Sequence, residues 1–218
     1  MLKAVLFDMD GVIIDSEPLH KKAYQAMFNQ IGIKVSPDMY QSFTGQSTIS
    51  ICRFLCQEFN LPETPETLMK SKRAFFKHLF ANDPDLHLID GVLDLIQDYQ
   101  RNGLTLVLAS SASMTTINNV FTRFDLDQYF QAKLSGADLK ASKPHPEIFI
   151  NAAAASGHHR SECFVIEDST NGIKAAKAAN VYCVAFKSPH SLNQVYDLAD
   201  LVIEDFEDIT YAKVSKLL

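Results

Sequence analysis

Residues 3–11 read KAVLFDMDG, an apolar run that stops abruptly at two aspartates and a glycine. A short apolar run with no polar alternation has the pattern of a strand buried on both faces of a parallel sheet. Residues 3–7 are therefore read as the first strand, with Asp8, Asp10 and Gly11 at its C-terminal end. Open parallel sheets place their sites at that end of their strands.

Runs of the same kind recur at residues 104–109, 163–166, 181–186 and 201–203. Helical periodicity separates most of them. Residues 92–101 are amphipathic and close at Asn102-Gly103, residues 148–156 close at Gly157, and the Ala-rich stretch 173–179 follows Ser169-Thr170-Asn171, which suits a helix N-cap. The alternation implies an α/β fold, a Rossmann-like parallel sheet with helices on both faces.

Residues 17–82 behave differently. Helical periodicity runs through 19–31, 49–59 and 67–79, with Pro37, Pro62 and Pro65 between, and no strand pattern stands out. A span of about 65 residues is far longer than an ordinary βα connection. The expected organisation is a core domain of residues 1–15 and 83–218, interrupted by an α-helical cap domain of residues 16–82.

The bulk numbers narrow the class. With 47% hydrophobic and 21% charged residues, the 218-residue chain has the composition of a soluble globular protein with a full core. A formal net charge of -6 leaves no uniformly basic surface to follow a nucleic-acid backbone. The first apolar stretch is cut off by Asp8 and Asp10 and is neither a secretory h-region nor a membrane span. The expectation is a cytoplasmic protein, monomeric, with no nucleic-acid or membrane partner. Cys52, Cys56, Cys163 and Cys183 lack the spacing of a complete metal site and are read as buried free thiols.

The strand ends carry the chemistry. Two carboxylates at Asp8 and Asp10 could divide nucleophilic attack and proton handling between them. A calcium loop starting at Asp8 would need an acid at its twelfth position, where Leu19 stands, and would follow a helix rather than a strand. Ser110 and Ser111 offer hydroxyl and backbone N–H groups to phosphoryl oxygens, or else begin a helix. Lys143 supplies a point charge in a loop before a helix. Glu167-Asp168 ends a further strand with a second acidic pair suited to a hard divalent cation, or to capping the next helix. An acid, a hydroxyl, a lysine and an acid at successive strand ends meet the needs of phosphoryl transfer: a nucleophile, anchoring groups and positive charge.

In this order the stretches FDMDGVIIDSEPLH (7–20), LASS (108–111), ASKPHPEIF (141–149) and IEDSTNG (166–172) resemble the haloacid dehalogenase superfamily. The similarity is to its phosphatase and β-phosphoglucomutase-like branch, with a helical cap inserted after the first strand. The resemblance implies Asp8 as the phosphoryl-accepting nucleophile, Asp10 as general acid and then base, Ser110 and Ser111 as phosphate ligands, and Lys143 as charge stabiliser. It implies Mg²⁺ held by Asp8, the main-chain carbonyl of Asp10, and Asp168, with Glu167 as a ligand or one step behind. Ser16, His20 and Gly45 match cap-side positions that contact substrate.

The cap departs from the mutase pattern. Thr44 and Thr48 stand where the mutases carry a lysine and an arginine around Gly45, and Ser113-Met114 replaces a lysine and asparagine. Arg53 is a displaced candidate for the missing charge. The reading is an Mg²⁺-dependent phosphatase of a sugar phosphate or similar small phosphorylated metabolite, acting through an aspartyl phosphate; the alternative is a β-phosphoglucomutase. A non-catalytic metal or phosphate sensor on the same fold would lack Asp8-dependent turnover altogether.

Overall fold

The computed structural model describes residues 1–43, 47–188 and 193–216. Among them, six parallel strands form one sheet: β1 (Ala4–Phe7), β2 (Thr105–Ser110), β3 (Ala132–Ser135), β4 (Cys163–Glu167), β5 (Tyr182–Phe186) and β6 (Leu201–Ile203). Their order across the sheet is β3-β2-β1-β4-β5-β6. The chain thus winds outward from β1 in one direction and, after β3, returns to the other side of it. That reversal beside β1 is the switch point at which doubly wound sheets open a crevice. The ladder pairs Phe7 with Leu108 on one side and with Ile166 on the other, so the ends of β1, β2 and β4 lie level.

Each face of the sheet has its own packing. Ala4, Leu6, Val107, Ala109, Val165, Cys183 and Ala185 point one way, into a cluster with Ile148, Phe149 and Ala152 of α7 (Glu147–Ser156) and Ile173, Ala175 and Ala176 of α8 (Thr170–Ala178). Small alanines on α8 let its backbone approach the strands closely. Phe7 and Phe164 serve the opposite face. They meet the ring of Tyr99 from α5 (Val92–Arg101), and Phe7 also meets Phe130, which packs on Phe121 of α6 (Met114–Arg123). All four residues of β1 are fully buried, which is why the sequence shows no alternation there.

The expected strands and helices are present with ends no more than three residues from those read, within about the usual scatter at element boundaries. Apart from single 3-10 turns, four elements among the described residues were not anticipated: α6, β3 and two short helices, Pro37–Gln41 and Tyr211–Val214. The cysteines are free thiols, as read, but Cys56 is only half-buried.

By its contacts the chain falls into two compact units, Met1–Asp15 with His87–Leu218, and Ser16–Leu86. The second holds α1 (Glu17–Ile31), α2 (Pro37–Gln41), α3 (Thr48–Glu58) and α4 (Pro65–Asn82). Pro37 and Pro65 are the first residues of helices rather than breaks between them, since a first-turn N–H has no intrahelical partner to lose. This unit has its own core of Tyr24, Met27, Phe28, Phe43, Ile51, Cys52, Leu55 and Leu68. Lys22 of α1 also reaches Asp83 and Asp85, just beyond α4, at 2.7 and 2.9 Å.

Candidate active site

The site grows from the end of β1. The Asp8 N–H donates to Ile166 O at 3.0 Å, which extends the β1–β4 ladder by one residue and fixes the Asp8 backbone. The chain then turns sharply. Gly11 has φ +83°, its N–H donates to Ile14 O at 2.9 Å, and the N–H groups of Ile13 and Ile14 converge on Met9 O. A side chain at residue 11 would be strained in φ, and its Cβ would lie 2.2 Å from Asp168 Oδ2. Glycine after the D-x-D pair therefore makes room for the acid arriving from β4.

Lys143 binds three strand ends together. Its Nζ donates to Asp8 Oδ1 at 2.5 Å, to Glu167 Oε1 at 2.7 Å and to Ala109 O at 3.0 Å. Those acceptors sit at the ends of β1, β4 and β2. Only 7% of the lysine side chain is exposed, so its ammonium is held by these acceptors rather than by solvent. An ammonium with three acceptors has all its N–H bonds satisfied, and Nζ also lies 4.9 Å over the Phe149 ring.

Asp8, Glu167 and Asp168 are all buried, and each offers a carboxylate oxygen within 4.8 Å of the others. Three carboxylates against one ammonium leave an excess of negative charge. At about 4 Å, two like charges repel by about 4 kcal/mol at an effective dielectric of 20. The Asp8 carboxyl is raised to about 7: burial is the largest cause, Lys143 opposes it, and the charges of Glu167 and Asp10 add to the rise. Burial works against the Lys143 ammonium, but the adjoining Asp8 and Glu167 carboxylates outweigh it and hold the group above its ordinary range. Hard oxygen donors with surplus negative charge fit a small divalent cation such as Mg²⁺.

Ser110 is buried at the end of β2, where its Oγ accepts from the Ala112 N–H at 3.0 Å. Ser135, opposite it in the β2–β3 register, donates to Ala112 O at 2.8 Å and so ties down the same turn. Ser111 is exposed. The helix cap in this stretch belongs to Ser113, whose Oγ accepts from the Thr116 N–H at the start of α6. The structure therefore brings Asp8, Ser110, Lys143, Glu167 and Asp168 to neighbouring strand ends, with Asp10 two residues beyond Asp8.

The cap-side candidates lie in the other unit. Ser16 is buried at the start of α1, where its carbonyl accepts from the His20 N–H. His20 stacks on Phe76 with centroids 4.2 Å apart, and its Nδ1 lies 2.6 Å from Lys72 Nζ. Lys72, unnoticed in the sequence, is 3% exposed and sits over the rings of Tyr24 and Phe76. Gly45 and its neighbour Thr44 lie outside the described residues. Arg53 and Thr48 are both on α3.

Four similarities to known proteins accord with this geometry. The family model for "Haloacid dehalogenase-like hydrolase" matches residues 5–186. Hexitol phosphatase B of Escherichia coli K12 is 30% identical over 211 residues, which cover 95% of this chain and 94% of that protein. Beta-phosphoglucomutase of Bacillus subtilis is 29% identical over 214 residues, covering 96% and 92%. The crystal structure of CbbY from Rhodobacter sphaeroides in complex with phosphate superposes with a TM-score of 0.80 at 25% identity, covering 99% of this chain and all of that one.

Proposed function

This chain belongs to the haloacid dehalogenase-like hydrolase family, and we propose that it is an Mg²⁺-dependent phosphatase of a sugar phosphate or similar small metabolite. The observation that carries the reading is that Lys143 joins three strand ends through Asp8, Ala109 O and Glu167, with Asp168 alongside. Asp8 is the nucleophile. It is backbone-anchored, and the ammonium on Oδ1 leaves Oδ2 to attack phosphorus.

Asp8, Asp168 and the main-chain carbonyl of Asp10 would hold Mg²⁺, with Glu167 beside them. When bound, the ion offsets the surplus carboxylate charge and polarises the phosphoryl group. Lys143 holds positive charge where the equatorial oxygens gather negative charge. Ser110 and Ser111 steady those oxygens from the end of β2. Asp10 gives a proton to the leaving alcohol, forming the Asp8 aspartyl phosphate, and then takes one from the water that cleaves it. An ordinary aspartate has a pKa of about 3.9, so Asp10 must be protonated on closure or held high to begin as an acid.

Ser16–Leu86 is read as the cap domain, which shuts over bound substrate and selects it. Its own core supports movement as a body. A cytoplasmic monomer acting on small metabolites suits the net charge of -6. Among the described residues no helix is long and apolar enough to cross a membrane.

The second reading, a β-phosphoglucomutase, is favoured by the similarity to the Bacillus subtilis enzyme and by Ser16 and His20. Thr44 and Thr48, which replace the cationic grip on a second phosphate, weigh against it. One assay decides between them. Phosphate release is measured with Mg²⁺ across hexitol, sugar and nucleoside phosphates, and β-glucose 1-phosphate is followed for glucose 6-phosphate, with Asp8→Asn as control. Free phosphate that depends on Asp8 is the expected result. Glucose 6-phosphate without release makes the protein a mutase, and no Asp8-dependent turnover on any substrate sinks both readings.

A further inference from the structure

The Glu167 carboxylate sits in a socket built by α8. Its Oε1 accepts from Lys143 Nζ at 2.7 Å, and its Oε2 accepts from both the N–H and the Oγ–H of Ser169 at 2.9 Å. The space it occupies is the space over Gly172: a Cβ there would fall 1.7 Å from Oε1, 1.8 Å from Cδ and 2.2 Å from Oε2. The Ser169 Oγ meanwhile accepts from the Gly172 N–H at 3.1 Å, as the N-cap of α8. One hydroxyl thus uses its lone pair on the helix and its proton on Glu167.

Lys143 stands on a flexible stem, and its ammonium position is set by its acceptors. Ala109 O is part of the sheet and Asp8 is held by its ladder bond, but Glu167 reaches Lys143 through side-chain torsions that something must lock. Among the described residues, Ser169 and Gly172 meet the far side of the carboxylate.

We infer that Ser169 is a positioning residue: acting through Glu167 over the open face of Gly172, it sets where the Lys143 ammonium meets Asp8. Capping α8 is its second task. The inference rests on the proposed use of Lys143 in phosphoryl transfer, but its first readout does not depend on turnover.

The two tasks separate by substitution. Aspartate caps a helix about as well as serine, but it has no proton to donate and sets a like charge against Glu167. Threonine keeps both functions. In the full-length, Mg²⁺-free protein the slowly exchanging Lys143 ammonium is followed by ¹H–¹⁵N NMR, assigned as the signal missing from Lys143→Met. Ser169→Thr is expected to keep the parent's exchange rate. Ser169→Asp is expected to fold with α8 still capped but at a lower thermal midpoint because of the like charge beside Glu167, to speed ammonium exchange by about tenfold or more, and to lower kcat for p-nitrophenyl phosphate by about 10- to 100-fold with KM little changed, the range for loss of an orienting partner.

An Asp variant with the parent's exchange rate and kcat would show that Ser169 only caps α8. Should that variant not fold, Ser169→Ala is compared with Thr64→Ala, which removes the equivalent cap bond on α4. Faster exchange in the first alone supports the role, and equal behaviour in both overturns it. If the parent turns over no substrate, the functional reading fails while the ammonium comparison still decides this one.

Discussion

Lys143 Nζ lies 2.5 Å from Asp8 Oδ1 although 135 positions separate the two residues in the chain, and neither side chain is more than a tenth exposed. Removing the ammonium strands two buried carboxylates, Asp8 and Glu167, against each other. Breaking a buried pair from one side costs about 3–5 kcal/mol. Lys143→Met is therefore expected to lower stability to urea in Mg²⁺-free buffer by an amount of that order, and to recover part of it when Mg²⁺ is added. Unfolding curves with and without Mg²⁺ check this; equal losses in both buffers would mean that lysine and metal do not share the same carboxylates.

Gly11 carries two burdens that can be measured apart. A Cβ there is strained at φ +83° and runs into the Asp168 carboxylate, whereas a Cβ on Gly32 has similar strain at φ +71° and meets nothing within 4 Å. The left-handed conformation alone costs a non-glycine residue about 1–2 kcal/mol. Gly32→Ala is expected to lose about that much stability and keep its Mg²⁺ requirement. Gly11→Ala is expected to lose more and to need at least about tenfold more Mg²⁺ for half-maximal turnover, because Asp168 must move. Identical Mg²⁺ titrations would remove Asp168 from the metal site.

These contacts explain what could be read before the structure. Strands β1, β2, β4 and β5 were legible because double-sided burial leaves apolar runs, and the site residues because sheet topology puts them at strand ends. β3 was hidden: it is an edge strand whose four residues, AKLS, include a lysine and a partner on one side only. α6 was hidden by its Thr and Asn content, although Ile117, Val120 and Phe121 have helical spacing. The order that sets β2 and β4 on either side of β1 is a long-range property, and so is the meeting of His20 with Lys72. No local pattern encodes that Gly172 is small for the sake of Glu167, five residues earlier in the chain.

Tyr99 joins the sheet to the C-terminal segment. Its buried hydroxyl donates to Ile209 O at 2.5 Å, while the neighbouring Asp98 accepts from the Tyr211 N–H at 2.7 Å. Tyr99→Phe keeps the ring against Phe7 and Phe164 and leaves only the carbonyl unpaired. An unsatisfied buried acceptor costs about 1–3 kcal/mol. Chemical denaturation is expected to report a loss in that range with kcat unchanged; a change in kcat would mean that this segment reaches the active site.

His20 makes stability depend on pH from inside the helical unit. Burial, with a smaller contribution from the nearby Lys72 charge, lowers its pKa to about 3, so the ring stays neutral and Nδ1 accepts from the lysine. An unfolded histidine titrates near 6.5. Between about pH 3 and 6.5 the unfolded chain therefore binds a proton that the folded one refuses, and stability rises with pH across that window and levels off above it. The slope due to His20 is at most about 1.4 kcal/mol per pH unit. His20→Gln is expected to be less stable at pH 7.5, having lost the stack on Phe76, yet to fall away more gently as the buffer is taken from pH 6.5 towards 5. Urea midpoints of parent and variant measured across that range test the pairing: parallel lines would mean that His20 takes up its proton in the folded protein and that Lys72 Nζ does not depend on its lone pair.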